Sequence, residues 1–142
     1  MADQAIQKQI EQVKEFNNAF GSVTRHMPTA DVGKDMSKLL HRIMAEENDE
    51  YLEACEKGDI VEIADALGDQ LYVLYGTIIK HGMQNIIGDV FDEIHRSNMT
   101  KLGDDGKPVI RNGKISKGPN YEPPQLKQIV EDGIKKSGQG QE

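Results

Sequence analysis

The sequence predicts an all-α protein: an antiparallel four-helix bundle with a short C-terminal hairpin or loop extension, completed by oligomerisation. Three observations carry the fold class. Apolar residues recur at helical spacing in four successive segments ahead of Leu102. The last three of those segments are joined by short breaks marked with glycine, which favours antiparallel neighbours. After Leu102 the composition shifts to the Gly- and Pro-rich run "GDDGKPVIRNGKISKGPNYEPP".

Taken in order, the first helix spans residues 4–20, with Ile6, Ile10, Val13 and Phe20 at helical spacing. A loop with Gly21, Pro28 and Gly33 follows. The second helix covers 34–56 and stops at Lys57-Gly58, a C-terminal signal. Asp59 reads as the cap of a third helix that runs to His81-Gly82. The fourth covers 84–102. Asn112-Gly113, set between "VIR" and "KIS", predicts a tight hairpin of two short strands. A last short helix is expected over 125–135. The whole reads as a single domain over 1–136 with a disordered tail at 137–142.

The chain has 142 residues, enough for one domain with its own core. Its net charge of −7 argues against duplex nucleic acid, whose partners carry a basic surface. The single cysteine, Cys55, allows no internal disulfide and reads as a small core residue in a reducing compartment. The start, "MADQAIQKQIEQV", lacks the apolar run of a signal peptide, and no segment has the length of a membrane span. The expectation is a cytoplasmic protein with no membrane partner, and no glycan on the sequon at Asn98.

The acids are the unusual feature. At about 100° of rotation per residue, Leu40, Ile43, Met44, Tyr51 and Ala54 form the apolar stripe of the second helix. Glu47 and Glu50 lie inside that stripe, with Glu46 and Glu53 on its flank. In the third helix Ile60, Ile63, Leu67, Leu71, Leu74 and Ile78 form the main apolar stripe. Glu62, Asp65 and Asp69 share the opposite face within an arc of about 60°, and that face continues as Tyr72, Val73 and Gly76. Acid runs on helices are ordinarily solvated. These sit where a packed face is expected, on two consecutive helices. Lys57 is the only cation between Glu46 and Asp69. Ionised carboxylates on a buried face need a partner, and an oxygen-only donor set suits magnesium, manganese or calcium.

The fourth helix has its stripe at Ile87, Val90, Phe91 and Ile94, continued by Asn98 and Lys101. Either the helix leaves the core there, or Arg96 and Lys101 face phosphates and Asn98 a base or sugar. His95 lies at the stripe edge and reads as a core-edge hydrogen-bonding group ahead of a general base. Lys117 and Tyr121, in "KGPNY", belong to a segment that either closes over phosphates or is a plain loop. Phe16, Phe20 and Tyr72 serve the core or stack on a base.

Glu46-Glu47-x-x-Glu50 followed by Glu62-x-x-Asp65 resembles the EExxE…ExxD signature of the all-α nucleoside triphosphate pyrophosphohydrolases, the MazG-like proteins. These include phosphoribosyl-ATP pyrophosphohydrolases and dimeric dUTPases. "ADALGDQLYVLYG" and the tail "DEIHRSNMTK…DGKP…NGK…KGPNY" are similar to a single-domain branch of that family. The resemblance implies Mg2+-dependent cleavage of a (d)NTP between its α and β phosphates, with Mn2+ as a substitute, in nucleotide-pool housecleaning. It implies a homodimer or homotetramer. By motif position the metal ligands are Glu46, Glu47, Glu50, Glu62 and Asp65, with Asp69 a further ligand; Glu46 or Glu50 is the general base. A second register stays open, in which the motif aspartate is Asp69 and Ala66 stands at the glutamate position. Two rival functions remain: a non-catalytic helical oligomerisation or binding module, and phosphoribosyl-ATP hydrolysis.

Overall fold

The structure, a computed structural model, describes residues 5–139. Among them are five helices and one two-stranded ribbon: α1 (Gln7–Ala19), α2 (Lys34–Lys57), α3 (Ile60–Lys80), α4 (Ile87–Met99), β1 (Val109–Arg111), β2 (Lys114–Ser116) and α5 (Lys127–Gln139). The protein is all-α. Gln4, the expected start of the first helix, lies outside the described residues. Helix α4 is shorter than 84–102 because Gly82, at φ +68°, ends the preceding turn and Gln84 is drawn into side-chain bonding. Helix α5 reaches Gln139, so 137–139, expected in a disordered tail, are helical; residues 140–142 lie outside the described part. Within the span 1–136 read as a single domain, the chain forms two compact units, one up to Asn85 and one from Ile86.

In the first unit everything is set by the turn between α2 and α3. Gly58 takes the left-handed conformation at φ +67°, which a residue with a Cβ resists. Its N–H donates to the Cys55 carbonyl at 3.0 Å, and the Asp59 N–H to that of Ala54 at 3.2 Å, closing the end of α2. Asp59 then opens α3: its Oδ1 accepts from the N–H groups of Val61 at 3.0 Å and Glu62 at 3.1 Å. A turn this short folds α3 back along α2. At 1.5 Å per residue, Glu47, Glu50 and Asp69 all fall roughly 12 to 17 Å from it, at one level. The buried residues are Ile10, Val13 and Asn17 of α1, Ala54 of α2, and Ala66 and Ile79 of α3, with Val13 against Gly76.

The loop after α1 is strapped to the end of α3. The Thr29 N–H donates to the His81 carbonyl at 2.8 Å, Arg25 Nη1 to the Lys80 carbonyl at 3.0 Å, and Gln84 Nε2 to the Arg25 carbonyl at 2.6 Å. Gly82 sits against the Met27 backbone, where any Cβ would collide with the Met27 carbonyl.

The stripe expected to be the main core face of α3 is exposed: Leu67 is 46%, Leu71 52% and Leu74 44% accessible. Helix α3 packs on α2 through the other face, around Ala66 and Asp69. The same correction applies to Phe91 and Ile94 on α4, and Cys55 is exposed rather than core.

The second unit is tied by polar contacts. Arg96 donates to Glu93 and to Glu122 at 2.8 Å; Ser97 Oγ donates to the Glu122 carbonyl at 2.7 Å. Gly118 lies against the carbonyls of Lys101 and Leu102. The hairpin forms as expected, with Ile110 opposite Ile115 and Asn112-Gly113 at positive φ.

Asp59→Ala removes the acceptor for two N–H groups and should cost about 1 kcal/mol of stability. Urea unfolding at neutral pH measures it; a midpoint equal to that of the parent chain contradicts the capping role.

Candidate functional site

Glu47 and Glu50, one turn apart on α2, meet Asp69 of α3, and one carboxylate oxygen from each lies within 4.8 Å of the others. Glu47 and Asp69 are half-buried and Glu50 is exposed. The Oε2 of Glu47 is fully shielded and has no hydrogen-bond donor. Two unit charges at this distance repel by on the order of 3 kcal/mol at an effective dielectric of about 20. Three such pairs approach the whole stability of a small domain.

The titration of the site carries the same strain. Burial pushes the Glu47 carboxyl up, and the adjoining Glu50 carboxyl pushes it further, followed by Asp69 and Asp65. Asp69 is raised by burial, then by Asp65 and Glu50. No lysine or arginine among the described residues pairs with Glu47, Glu50 or Asp69. An orphaned shielded oxygen in an all-oxygen donor set with uncompensated charge fits a hard divalent cation.

The remaining acids divide around this centre. Glu46 is exposed and faces Arg42 at 3.8 Å, outside the cluster. Glu62 accepts from Lys57 at 3.3 Å beside the α2–α3 turn. Asp65 lies between, close enough to raise both Glu47 and Asp69, and with Glu50, Glu53 and Glu62 it lines a cleft of about 310 Å3. The arrangement brings together Glu47, Glu50 and Asp69, adds Asp65 at the margin, and leaves Glu46 aside. It favours the register in which Asp69 is the central aspartate.

In the second unit, Arg96, read as a phosphate ligand, instead shares its guanidinium between Glu93 and Glu122. Arg96 and the Gln125 N–H hold the Glu93 carboxyl down at about 2. Asn98 and His95 are exposed on α4, Lys101 is half-buried just beyond it, and the Lys117 ammonium sits 4.7 Å from the centre of the Tyr121 ring.

Sequence reasoning missed three groups. Asn48 accepts from Gln70 at 3.0 Å, an α2–α3 bridge one position from both Glu47 and Asp69. Asn17 of α1 and Lys80 of α3 are buried. Their signal was a polar residue at an apolar register: Asn17 follows Ile10 and Val13 at i+7 and i+4, and Lys80 ends the apolar "LYGTII" run.

The raised acids fix a pH dependence. The folded chain binds protons at Glu47 and Asp69 more tightly than the unfolded chain, whose values are 4.5 and 3.8. Their share of stability is whole below those values and is lost as pH rises through the folded ones. In metal-free protein at pH 7, Glu47→Gln should therefore raise Tm by about 3 °C, the effect of roughly 1 kcal/mol in a chain of this size. At pH 4 the gain should vanish. Thermal melts in chelator decide it: a Glu47→Gln protein less stable than its parent at pH 7 contradicts the repulsion.

The family model described as phosphoribosyl-ATP pyrophosphohydrolase matches residues 13–98, more than half of the chain, taking in all of α2 and α3. A crystal structure from Exiguobacterium sp. 255-15, of a protein proposed to be an NTP pyrophosphohydrolase, aligns over 100% of both chains at 22% identity and a TM-score of 0.46. No curated protein matches the chain. By the match that spans its acid-bearing helices, this chain belongs to the phosphoribosyl-ATP pyrophosphohydrolase family, among the MazG-like all-α NTP pyrophosphohydrolases.

Proposed function

We propose that the chain is a Mg2+-dependent nucleoside triphosphate pyrophosphohydrolase, converting a (d)NTP and water to a (d)NMP and pyrophosphate. Family membership supports pyrophosphohydrolase activity as a class. The observation that carries the finer reading is the convergence of Glu47, Glu50 and Asp69, none of which pairs with a lysine or arginine among the described residues.

Glu47, Glu50 and Asp69 would hold the magnesium, with Asp65 beside them. Bound there, it would supply charge neutralisation and Lewis acidity toward the triphosphate. The protein's own part is positioning and proton transfer. Glu50, the most open member of the cluster, takes the proton of the attacking water. Glu46 is the weaker candidate, since it faces Arg42 outside the cluster. Attack at the α-phosphorus breaks its bond to the bridging oxygen, and pyrophosphate leaves. Lys101, Lys117, Asn98 and Tyr121, the further groups expected at phosphate and substrate, belong to the second unit. Arg96 secures the loop around Glu122.

Phosphoribosyl-ATP is the second substrate to weigh, because the matching family is described by it. It undergoes the same α–β cleavage. A nucleotide-pool role remains the reading for the (d)NTP substrate. No helix of the described residues is long and apolar enough to cross a membrane, and we place the activity in the cytoplasm.

The exposed Leu67, Leu71 and Leu74 stripe fits a homodimer or homotetramer, since one side of α3 is otherwise left in water.

Pyrophosphate release should be measured with magnesium on a panel of NTPs, dNTPs and phosphoribosyl-ATP. Release is expected from at least one of the (d)NTPs, and Glu50→Gln should lower kcat by about 10²-fold or more. No release from any substrate, or an unchanged Glu50→Gln enzyme, rejects the mechanism. For the assembly, Leu71→Glu should shift the sedimentation of the chain toward the monomer; a parent chain that sediments as a monomer contradicts the assembly.

A further inference from the structure

The hairpin of the second unit is a basic ribbon on an acidic chain. From Lys107 to Lys117 the sequence holds four cations and no acid, against a net charge of −7 for the whole. Arg111 and Lys114 stand directly opposite each other beside the turn, and like charges so placed repel. Both are exposed, and neither pairs with a carboxylate among the described residues. Side chains alternate along a strand, so the opposite side of the ribbon is apolar. There Ile110 and its cross-strand partner Ile115 are 57% and 68% accessible. A two-stranded ribbon is marginally stable by itself in water, and this one keeps its isoleucine side open.

The complementary surface is in the first unit, at the elbow between α2 and α3. Glu53 and Glu56, near the end of α2, are exposed and pair with no lysine or arginine among the described residues. Asp59 and Glu62 follow across the turn, and Lys57 is the only cation between Glu53 and Glu62. Set among these acids, Ile60 and Val61 are each 74% accessible. Ile60 also begins the stripe that continues as Leu67, Leu71 and Leu74, the face assigned above to a second copy. The elbow is an open apolar pair ringed by acids; the ribbon is an open apolar pair beside cations.

Resting on the homo-oligomer reading above, we propose that the ribbon of one copy docks on the α2–α3 elbow of a second copy. Ile110 and Ile115 cover Ile60 and Val61. Arg111 and Lys114, at the tip, reach round on their long stems to Glu53 and Glu56. Each copy carries both halves, so a two-fold pair makes the contact twice. The contact also brings two cations to the rim of the cleft lined by Glu50, Glu53, Glu62 and Asp65, whose own lining has Lys57 as its one cation. Attraction between charges at a rim is screened, so association weakens as salt is raised.

The test is sedimentation equilibrium of two charge-reversed chains, alone and mixed. One carries Arg111→Glu with Lys114→Glu, the other Glu53→Lys with Glu56→Lys. Each alone should self-associate about tenfold or more weakly than the parent chain. An equimolar mixture should regain the parent's association, because every ribbon then meets an elbow of opposite charge. Ile115→Ser, at an exposed position, probes the apolar half separately and should weaken association by about threefold or more. A mixture as weak as its two components overturns the proposal, whether ribbon and elbow meet within one chain or not at all. Charge-reversed chains that associate as tightly as the parent overturn it too, and leave the Leu71 face standing. A parent chain that sediments as a monomer rejects the assembly and this contact together.

Discussion

Repulsion among carboxylates on a packed helix face is the constraint around which the first unit is arranged. Glu47, Glu50 and Asp69 stand within 4.8 Å of one another. The two-residue turn at Gly58-Asp59 places them there by folding α3 directly back on α2. A longer connection would let the helices slide and the charges separate. The short turn denies that escape, so the folded chain keeps a centre that pushes itself apart. Such strain is characteristic of sites whose missing partner is a cation or a substrate.

The helices were legible because each has local punctuation. Asp59 caps α3, Gly58 closes α2, and Asn112-Gly113 turns the hairpin, all through backbone bonds within a few residues. Which face of α3 would be buried was not legible in the same way. Periodicity marks Leu67, Leu71 and Leu74 as apolar, but it cannot say what covers them. The chain packs α3 through Ala66 and its neighbours instead, because small residues there let α2 approach. Ser97 and Thr100, which bind the loop at Glu122, were invisible for a related reason: their partners lie more than twenty residues away.

The acids stood out by their place inside apolar stripes; Glu47 is half-buried as that placement implies, whereas Glu50, one turn on, is exposed. The choice between Asp65 and Asp69 was not legible, since both share one helix face. Packing separates them: Asp69 reaches Glu47 and Glu50, while Asp65 lies toward the outer cleft with Glu53 and Glu62. Glu46 points about 100° away from Glu47 around the helix and faces Arg42 at 3.8 Å. Arg96, a cation near the end of a helix, suggests a phosphate, yet Glu93 one turn back and Glu122 in the loop claim it first. Asn17 and Lys80 are polar residues at apolar registers, and packing alone shows that Asn17 Nδ2 is shielded without an acceptor while Lys80 is held by Ser22 and the Val23 carbonyl.

The central claim is that these three carboxylates are a cation site. Crystals soaked in manganese and measured at its absorption edge test it directly. The account predicts an anomalous peak bounded by Glu47, Glu50 and Asp69, lost in Glu47→Gln crystals. A map without density there, from crystals that diffract well and carry the same soak, would contradict it.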